Sequence, residues 1–217
     1  MSKLSDFVGG GGLILRRQLF TASGTWTKSA DLVGDQVFIT AIGGGGSGNS
    51  SSNELGGCSG AYITRFPVDI SGTSSESVTV GAGGLSVTGG GSTPGNPGSP
   101  SSFGSLVSVD GAVATGSYTL YSSVLQGQNP GCSKLSLLFS IPGIFGAVIA
   151  PYVGAATGGL GGSGLLLDNS GIQAGLTYFD APGGNGYGAG GGATSESAID
   201  SGAGAPGAVL VEWMEKV

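Results

Sequence analysis

The stretch that decides the fold is residues 36–46, which read QVFITAIGGGG. Its first seven residues are mostly β-branched or apolar on both faces, a composition typical of a buried strand. Four glycines follow directly, and each glycine inside a helix costs about 1 kcal/mol relative to alanine. A buried strand therefore runs into a segment that is not helical, and whose backbone groups need hydrogen-bond partners elsewhere in the chain.

The composition extends this pattern to the whole chain. Glycine accounts for 48 of the 217 residues, whereas charged residues make up 9% and hydrophobic residues 39%. The glycines cluster and do not recur at every third position, which excludes collagen. The hydrophobic content is too high for a typical disordered chain. We therefore expect an ordered protein with an unusual core.

Further short strands flank the deciding stretch. Gly, Ser and Asn turns separate them, a pattern typical of an all-β sandwich. We expect Pro67 to end the third of them and the last to return and pair with the first ones. The predicted strands are 19–21, 25–27, 61–66, 77–80 and 207–213.

Residues 83–206 are mainly glycine, serine and proline between apolar residues. Such segments form extended helices of three residues per turn without internal hydrogen bonds, and glycine lets neighbouring helices touch and bond laterally. The alternative is a set of unusually long surface loops. The predicted fold is all-β: a β-sandwich-like glycine-rich domain with packed polyglycine II helices, long loops and almost no α-helix.

Several function classes are excluded by charge and composition. Seven Lys and Arg stand against thirteen Asp and Glu, for a net charge of −6, whereas nucleic-acid binding needs a basic surface. Without histidine, Ser–His and Cys–His nucleophile pairs are impossible. We expect Cys58 and Cys132 to be free thiols, too few for a structural zinc site.

One motif for a cofactor needs separate consideration. Gly43, Gly45 and Gly48 match G-x-G-x-x-G after a strand, but the polar residues that follow have no helical periodicity, which a dinucleotide site requires. Scattered carboxylates show no calcium-loop spacing. We therefore expect no catalytic residue, no cofactor and no metal; a polysaccharide hydrolase or lyase, built from distant carboxylates, is the minority hypothesis.

The most apolar stretch is residues 135–153, which carry no charge. Pro142 and Pro151 interrupt it, so we do not expect a membrane span despite its length. It is either a core strand pair or subunit interface, or an exposed loop that contacts a receptor.

Residues 1–17 contain a four-glycine run and then a short apolar run. They form either an attachment segment that adds a strand to a partner, through Leu13, Ile14, Leu15 and Arg16, or a loosely ordered terminus. Asp6 interrupts any apolar region of a signal peptide, so export by the usual pathway is not expected.

Six motifs in order resemble the glycine-rich domains of bacteriophage tail fibres. The resemblance covers residues 18–110 and 183–213 and departs from the family over 111–182. The motifs are the FTASGTWT opening at 20–27, the strand entering glycines at 37–46, GGCSGAY at 56–62, VTVGAGG at 78–84, SSFG at 101–104 and GAPGAVLVEW at 204–213.

The resemblance implies a non-enzymatic adhesin at the distal tail fibre or tail tip of a virion, made in the host cytoplasm. The similar tips of T-even-like phages are built from packed polyglycine helices with variable loops at the distal end. It implies an attachment segment at 1–17 and a receptor-binding domain at 18–217, with recognition in 111–182. The alternative is a structural virion component without receptor contact.

The expected partners are other phage tail proteins and a host receptor. Pilus, outer-membrane protein and lipopolysaccharide remain open, and the acidic chain with its apolar centre favours a protein. We expect a homotrimer, although a tip protein can also be a monomer. Candidate receptor contacts are aromatic or apolar residues of the divergent region: Tyr118, Tyr121, Phe139, Ile144, Phe145, Tyr152, Tyr178 and Phe179.

Overall fold

The computed structural model describes residues 12–51, 56–88, 92–114, 183–194 and 199–217. Within them the protein is all-β and contains no helix, and so no helix that is long and apolar enough to cross a membrane. The strands are β1 (Leu13–Phe20), β2 (Gly24–Thr27), β3 (Gln36–Ile42), β4 (Ser50–Ser51), β5 (Tyr62–Asp69), β6 (Ser75–Thr79), β7 (Ser92–Thr93), β8 (Ser101–Phe103), β9 (Val107–Val109) and β10 (Ala208–Lys216).

Two four-stranded antiparallel sheets make up the sandwich. Sheet A has the order β1-β10-β3-β5, and sheet B has the order β2-β6-β8-β9. The last strand lies between the first and third, with Val209 opposite Phe20 on one side and Ala41 on the other. The expected return of the C-terminal strand is therefore confirmed, and β3 occupies the predicted residues 36–42.

The inward faces of the two sheets form the hydrophobic core. Trp26 from sheet B is fully buried and makes edge contacts with Phe103, at 5.6 Å between ring centroids, and with Trp213 from sheet A, at 5.9 Å. Buried β-branched residues such as Val37 and Ile39 fill the space beside these rings. Two layers bury the apolar face that neither sheet could bury alone.

Two boundaries differ from expectation. Pro67 does not end β5, which continues to Asp69; β5 is an edge strand, where a proline without an N–H is tolerated. The predicted boundary after residue 17 falls inside β1, because that strand pairs with β10 along its whole length from Leu13 to Phe20.

Beyond the sandwich, seven glycine-rich segments pack side by side; we call them the array. The central segment, 43–48, continues from β3 and donates its amide groups to three neighbours in turn, so that residues three apart reach the same neighbour. The donor–acceptor pairs are Gly43–Ala61 and Gly46–Cys58, Gly44–Ser99 and Ser47–Asn96, and Gly45–Ala205 and Gly48–Gly202, all with N···O distances of 2.9–3.0 Å. A threefold period without internal bonds is the polyglycine II pattern that the composition predicts.

The carbonyl groups of the central segment face three further neighbours. The carbonyl oxygens of Gly44, Gly45 and Gly46 accept hydrogen bonds from Ala112 N, Gly84 N and Gly191 N, respectively, at 2.8–2.9 Å. Six segments therefore surround one, as in a hexagonal lattice. The surrounding segments are 56–61, 81–88, 96–99, 110–113, 188–194 and 201–207.

Hydrogen bonds also join the six outer segments into a closed ring. Around the ring, the bonds run Ala61 N to Asp110 O, Gly98 N to Ala112 O, Ser99 N to Ala82 O, Gly204 N to Gly84 O, Ala205 N to Ala189 O and Gly60 N to Gly188 O, at 2.8–3.0 Å. This ring supplies partners for the backbone groups that a buried glycine-rich chain must satisfy.

Candidate functional site

The candidate site is the end of the array that lies away from the sandwich, which we call the distal end. Strands β3, β6 and β9 lead out of the sandwich into array segments, and three other segments lead back into β5, β8 and β10. The segments 43–48, 81–88, 110–113 and 188–194 run towards the distal end, and 56–61, 96–99 and 201–207 run back from it. The described turn before 188–194 lies instead at the sandwich end, since Gly188 N donates to Pro206 O and Gly188 lies beside Ile42.

Seven of the eight points at which the described ranges stop or resume lie at this end; the exception, Gly183, lies beside Ala203 within the array. The described chain stops at Ser51, Thr88, Ala114 and Thr194, and it resumes at Gly56, Ser92, Gly183 and Ile199. The longest of these connections, 115–182, follows the segment 110–113, which lies between the segments 56–61 and 96–99. It returns beside the segments 188–194 and 201–207, since Gly184 N donates to Ala203 O at 2.8 Å. Its two ends thus lie on opposite sides of the array.

Short pairings hold the distal end together. Strand β4 pairs with β7, and Ser50 also forms a parallel bridge with Thr194. Thr194 N donates to Asn49 O at 3.0 Å. Ser50 and Thr194 are buried, so these pairings are part of the packed end of the array.

A second pair of contacts lies at the same end. Val87 N donates to Ser201 Oγ at 3.0 Å, and Ser201 N donates to Val87 O at 2.9 Å. Beside them the Thr88 hydroxyl hydrogen-bonds with the Asp200 carboxylate. These bonds join the segments 81–88 and 201–207 up to the point where 81–88 leaves the described chain.

The eight candidate receptor contacts all lie in 115–182, outside the described residues. The apolar stretch 135–153 lies there as well. These predictions therefore stay predictions. The structure places the anchoring points of that region and not its side chains.

The four candidate attachment residues lie in β1, on the outer edge of sheet A. Leu13, Ile14, Leu15 and Arg16 pair with residues 216 to 213 of β10 in the same chain. Leu13 and Leu15 are exposed, whereas Arg16 Nε donates to Glu215 Oε2 at 2.8 Å. These four residues are far from the distal end. Phe20 lies at the end of β1 that is near the array, and Leu13 lies at the opposite end.

The G-x-G-x-x-G match does not form an anion cradle. The amide groups of Gly43, Gly45 and Gly48 are all donated to carbonyl oxygens of neighbouring array segments. A phosphate-binding loop needs such amides to be free and directed at the ligand. The structure thus accounts for these glycines through packing.

Cys58 is disulfide-bonded, so the expectation of a free thiol there is wrong. Its side chain is buried in the array next to Ala112. Sequence could not decide this, since cysteine connectivity cannot be deduced from sequence alone.

Two other features of the described residues offer little chemistry. A cleft of about 560 Å³ lies beside the β2–β3 connection, but the ion pair of Lys28 Nζ and Asp35 Oδ1, at 2.6 Å, neutralises both of its charged groups. Within the described ranges, no group of three or more His, Cys, Asp or Glu residues is placed to hold a metal ion.

Comparison with known families agrees with this architecture. A family model described as a glycine-rich domain matches residues 21–136, more than half of the chain. The chain belongs to this glycine-rich domain family. No curated protein matches it. The matched range of the glycine-rich domain begins just after β1 and contains β2 to β9, so both long strands β1 and β10 lie outside it.

Proposed function

We propose that this glycine-rich domain is the receptor-binding protein of a bacteriophage tail fibre or tail tip and that it recognises a bacterial surface structure. The observation that carries the proposal is the distal end of a closed array, where most of the described segments that flank four chain connections, including the long one at 115–182, stop or begin. Binding loops held by a rigid scaffold are a recurring design of recognition proteins. The ordered resemblance of the motifs to tail-fibre domains supports the same function.

The array suits this role because its backbone is already ordered before binding. Association loses less free energy when the parts of the protein that carry the contact are fixed in advance. Hydrogen bonds of Ala112 and Gly184 tie the chain on either side of 115–182 to the array. The receptor contacts predicted from sequence, such as Tyr121 and Phe145, lie between Ala112 and Gly184 in the chain, and aromatic side chains provide large contact areas with little loss of rotamer freedom.

The end of the sandwich that lies away from the array is available for attachment to the phage particle. Strand β1 carries the predicted attachment residues there. A homotrimer remains our expectation for the assembled tip, together with contacts to other tail proteins. The proposed activity is adhesion, without catalysis.

Adhesion can be measured with the full-length protein. The labelled chain is mixed with bacterial strains that lack pili, an outer-membrane protein or lipopolysaccharide chains, and bound label is counted by cytometry. We expect saturable binding to the parent strain, loss of binding to one of the deletion strains, and inhibition of phage adsorption by the unlabelled protein.

A pair of matched variants locates the contact. The double variant Tyr121→Ser, Phe145→Ser is expected to lower the affinity at least tenfold while the unfolding midpoint stays the same. Leu85→Ser is the control, because Leu85 is also exposed but lies in the array. Equal losses in both variants would count against recognition by 115–182. Absence of binding to every strain, with the protein found away from the fibre tip by electron microscopy, would indicate a structural component, and release of saccharide fragments would indicate a depolymerase.

A further inference from the structure

Among the described residues, no strand pairs with the outer edge of β1. Val217 N donates to Gly12 O at 2.8 Å across the β1–β10 pair. In an antiparallel pair, hydrogen-bonded positions alternate with positions whose backbone groups point away. The register has no shift, so the N–H and C=O groups of the odd-numbered residues point to the outer edge. These residues are Leu13, Leu15, Arg17 and Leu19.

The other strand edges of the described residues are shorter or guarded. β5, on the far side of sheet A, contains Pro67, and a bulge bends it at Arg65, whose φ is +47°. Prolines and bulges block the addition of another strand. The edge strands of sheet B are only four and three residues long. β1 extends over eight residues and contains neither a proline nor a bulge.

The side chains of the same odd-numbered residues form an apolar strip on the outer face of sheet A. Leu13, Leu15 and Leu19 are 54%, 42% and 47% exposed. They lie on the face opposite to the core, because the even-numbered Phe20 points into it. Contiguous exposed apolar surface marks interaction sites.

Charge on this strip indicates the chemistry of the occupant. Glu212 accepts from Arg17 Nε at 2.9 Å and from Arg65 Nη1 at 2.7 Å, so two cations share one carboxylate. The strip thus carries a surplus positive charge on a molecule with a net charge of −6. Arg17 is 63% exposed, which leaves it accessible to a further carboxylate. A second copy of β1, paired antiparallel about Arg17, would instead bring the two Arg17 side chains together, which is unfavourable.

We propose that the outer edge of β1 binds an extended segment of a different polypeptide, with alternating apolar side chains and a carboxylate opposite Arg17. The segment adds a fifth strand to sheet A, and its backbone pairs with Leu13, Leu15, Arg17 and Leu19. The inference rests on the proposed function for the source of the segment, which is another protein of the same particle. The added strand holds this partner protein at the end of the molecule opposite the distal end.

A peptide that carries these features tests the inference on the full-length protein. The probe is fluorescein-labelled Thr-Leu-Thr-Glu-Thr-Leu-Thr with blocked ends, and the control peptide has lysine in place of glutamate. Fluorescence anisotropy is expected to show saturable binding of the first peptide and at least tenfold weaker binding of the second. Hydrogen exchange of the amides of Leu13, Leu15, Arg17 and Leu19 is expected to slow only with the first.

Leu15→Pro provides a matched change in the protein. The Leu15 amide points to the open edge, so proline removes a donor to the peptide and leaves the bonds to β10 in place. We expect at least tenfold weaker binding, whereas Leu15→Val binds within twofold of the unchanged protein. If Leu15→Pro does not fold, the exchange measurement on the unchanged protein decides.

Three results would overturn the inference: no saturable binding of the glutamate peptide, equal binding by a folded Leu15→Pro variant, or a dimer in analytical ultracentrifugation that Leu15→Pro converts to monomer. The last result would assign the edge to a second copy. Peptide binding requires no bacteria, so failure of this inference is distinguishable from failure of adhesion. Loss of peptide binding with intact cell adhesion overturns strand addition alone, and the reverse result overturns the proposed receptor binding alone.

Discussion

At the scale of single residues, the array depends on positions where a methyl group has no room. A Cβ atom on Gly44 would overlap the carbonyl oxygen of Ala82, and one on Gly45 would overlap that of Ala189. These oxygens belong to backbone in neighbouring segments, which cannot rotate away as a side chain would. Even the smallest side chain must therefore separate segments that are hydrogen-bonded on several sides.

Gly45→Ala is expected to lower the free energy of unfolding by about 3 kcal/mol, because overpacking and loss of lateral hydrogen bonds act together. Urea denaturation measures the change. Gly12→Ala is the control, since nothing lies within 4 Å of a Cβ atom there, and its effect should stay within about 0.5 kcal/mol. Similar losses in the two variants would contradict the close-packing role.

Glu215 gives the protein a pH-dependent contribution to stability. Hydrogen bonds from Trp213, Ser29 and Arg16 lower the pKa of its carboxyl from 4.5 to about 2. Because the pKa is lower in the folded state, the contribution is complete above about pH 4.5 and is lost as the pH falls towards 2. We expect the difference in unfolding midpoint between the unchanged protein and Glu215→Gln to shrink over this range. A difference that stays constant from pH 6 to pH 2 would argue against it.

At the scale of elements, the junction between the sandwich and the array is the feature that local patterns describe least well. Ser101 begins β8 and is fully buried. Its hydroxyl donates to Ile42 O at 2.7 Å and accepts from Gly81 N at 2.9 Å. One side chain thus satisfies the end of β3 and the start of the segment 81–88.

Ser101→Ala is expected to destabilise the protein by about 2 kcal/mol, because it leaves a buried N–H and a buried C=O without this partner. Thermal denaturation followed by circular dichroism measures the effect. Ser102→Ala, at the neighbouring half-buried position, should change the stability by less than about 0.5 kcal/mol. Equal effects would show that the junction does not depend on the hydroxyl.

Strand prediction was most accurate where packing and local preference agree. Residues 36–42 are apolar on both faces and form β3 as predicted. The other five predicted strands were located, with ends that differ by up to six residues, whereas β4, β7, β8 and β9 were not predicted. The ends of strands depend on their neighbours in the sheet. β1 extends back to Leu13 because β10 pairs with it along that length. β5 continues through Pro67 because β5 is an edge strand, and its outer side makes no hydrogen bonds to another described strand.

At the scale of the whole molecule, array and sandwich are built from the same continuous chain. Six strands of the sandwich lead directly into or out of array segments, and the ring closes only when residues 43–113 and 188–207 are all in place. Most of the contacts join distant parts of the sequence. Neither part is expected to survive the loss of the other.

We therefore expect a single unfolding transition. Fluorescence of Trp26 and Trp213 reports on the sandwich, and hydrogen exchange of the Gly44, Gly45 and Gly46 amides reports on the array. Both should yield the same free energy of unfolding, and Gly45→Ala should lower both equally. Two separate transitions would mean that the array and sandwich fold independently.

The candidate site, too, could be predicted only in part from the sequence. The sequence indicated that 111–182 departs from the surrounding motifs, and it indicated the residues to consider in it. It could not indicate that most ends of the described segments lie at one end of the array, since this depends on the direction of each array segment. It also missed Arg17 and Leu19 as members of an exposed edge, although their alternation with Ile14, Arg16 and Gln18 in β1 was a usable signal.

The sequence by itself determined the all-β class, the buried strand at 36–42, and the need for glycine where backbones approach closely. These follow from side-chain preferences that act locally: β-branched residues favour strands, and clustered glycines disfavour helix. Only the tertiary structure decided which segments are neighbours, how the ring closes, that Cys58 is disulfide-bonded and that β1 has an open edge. The reason is that the bonds of the array join backbone groups, which are the same at almost every residue and leave no pattern in the sequence to show their partners.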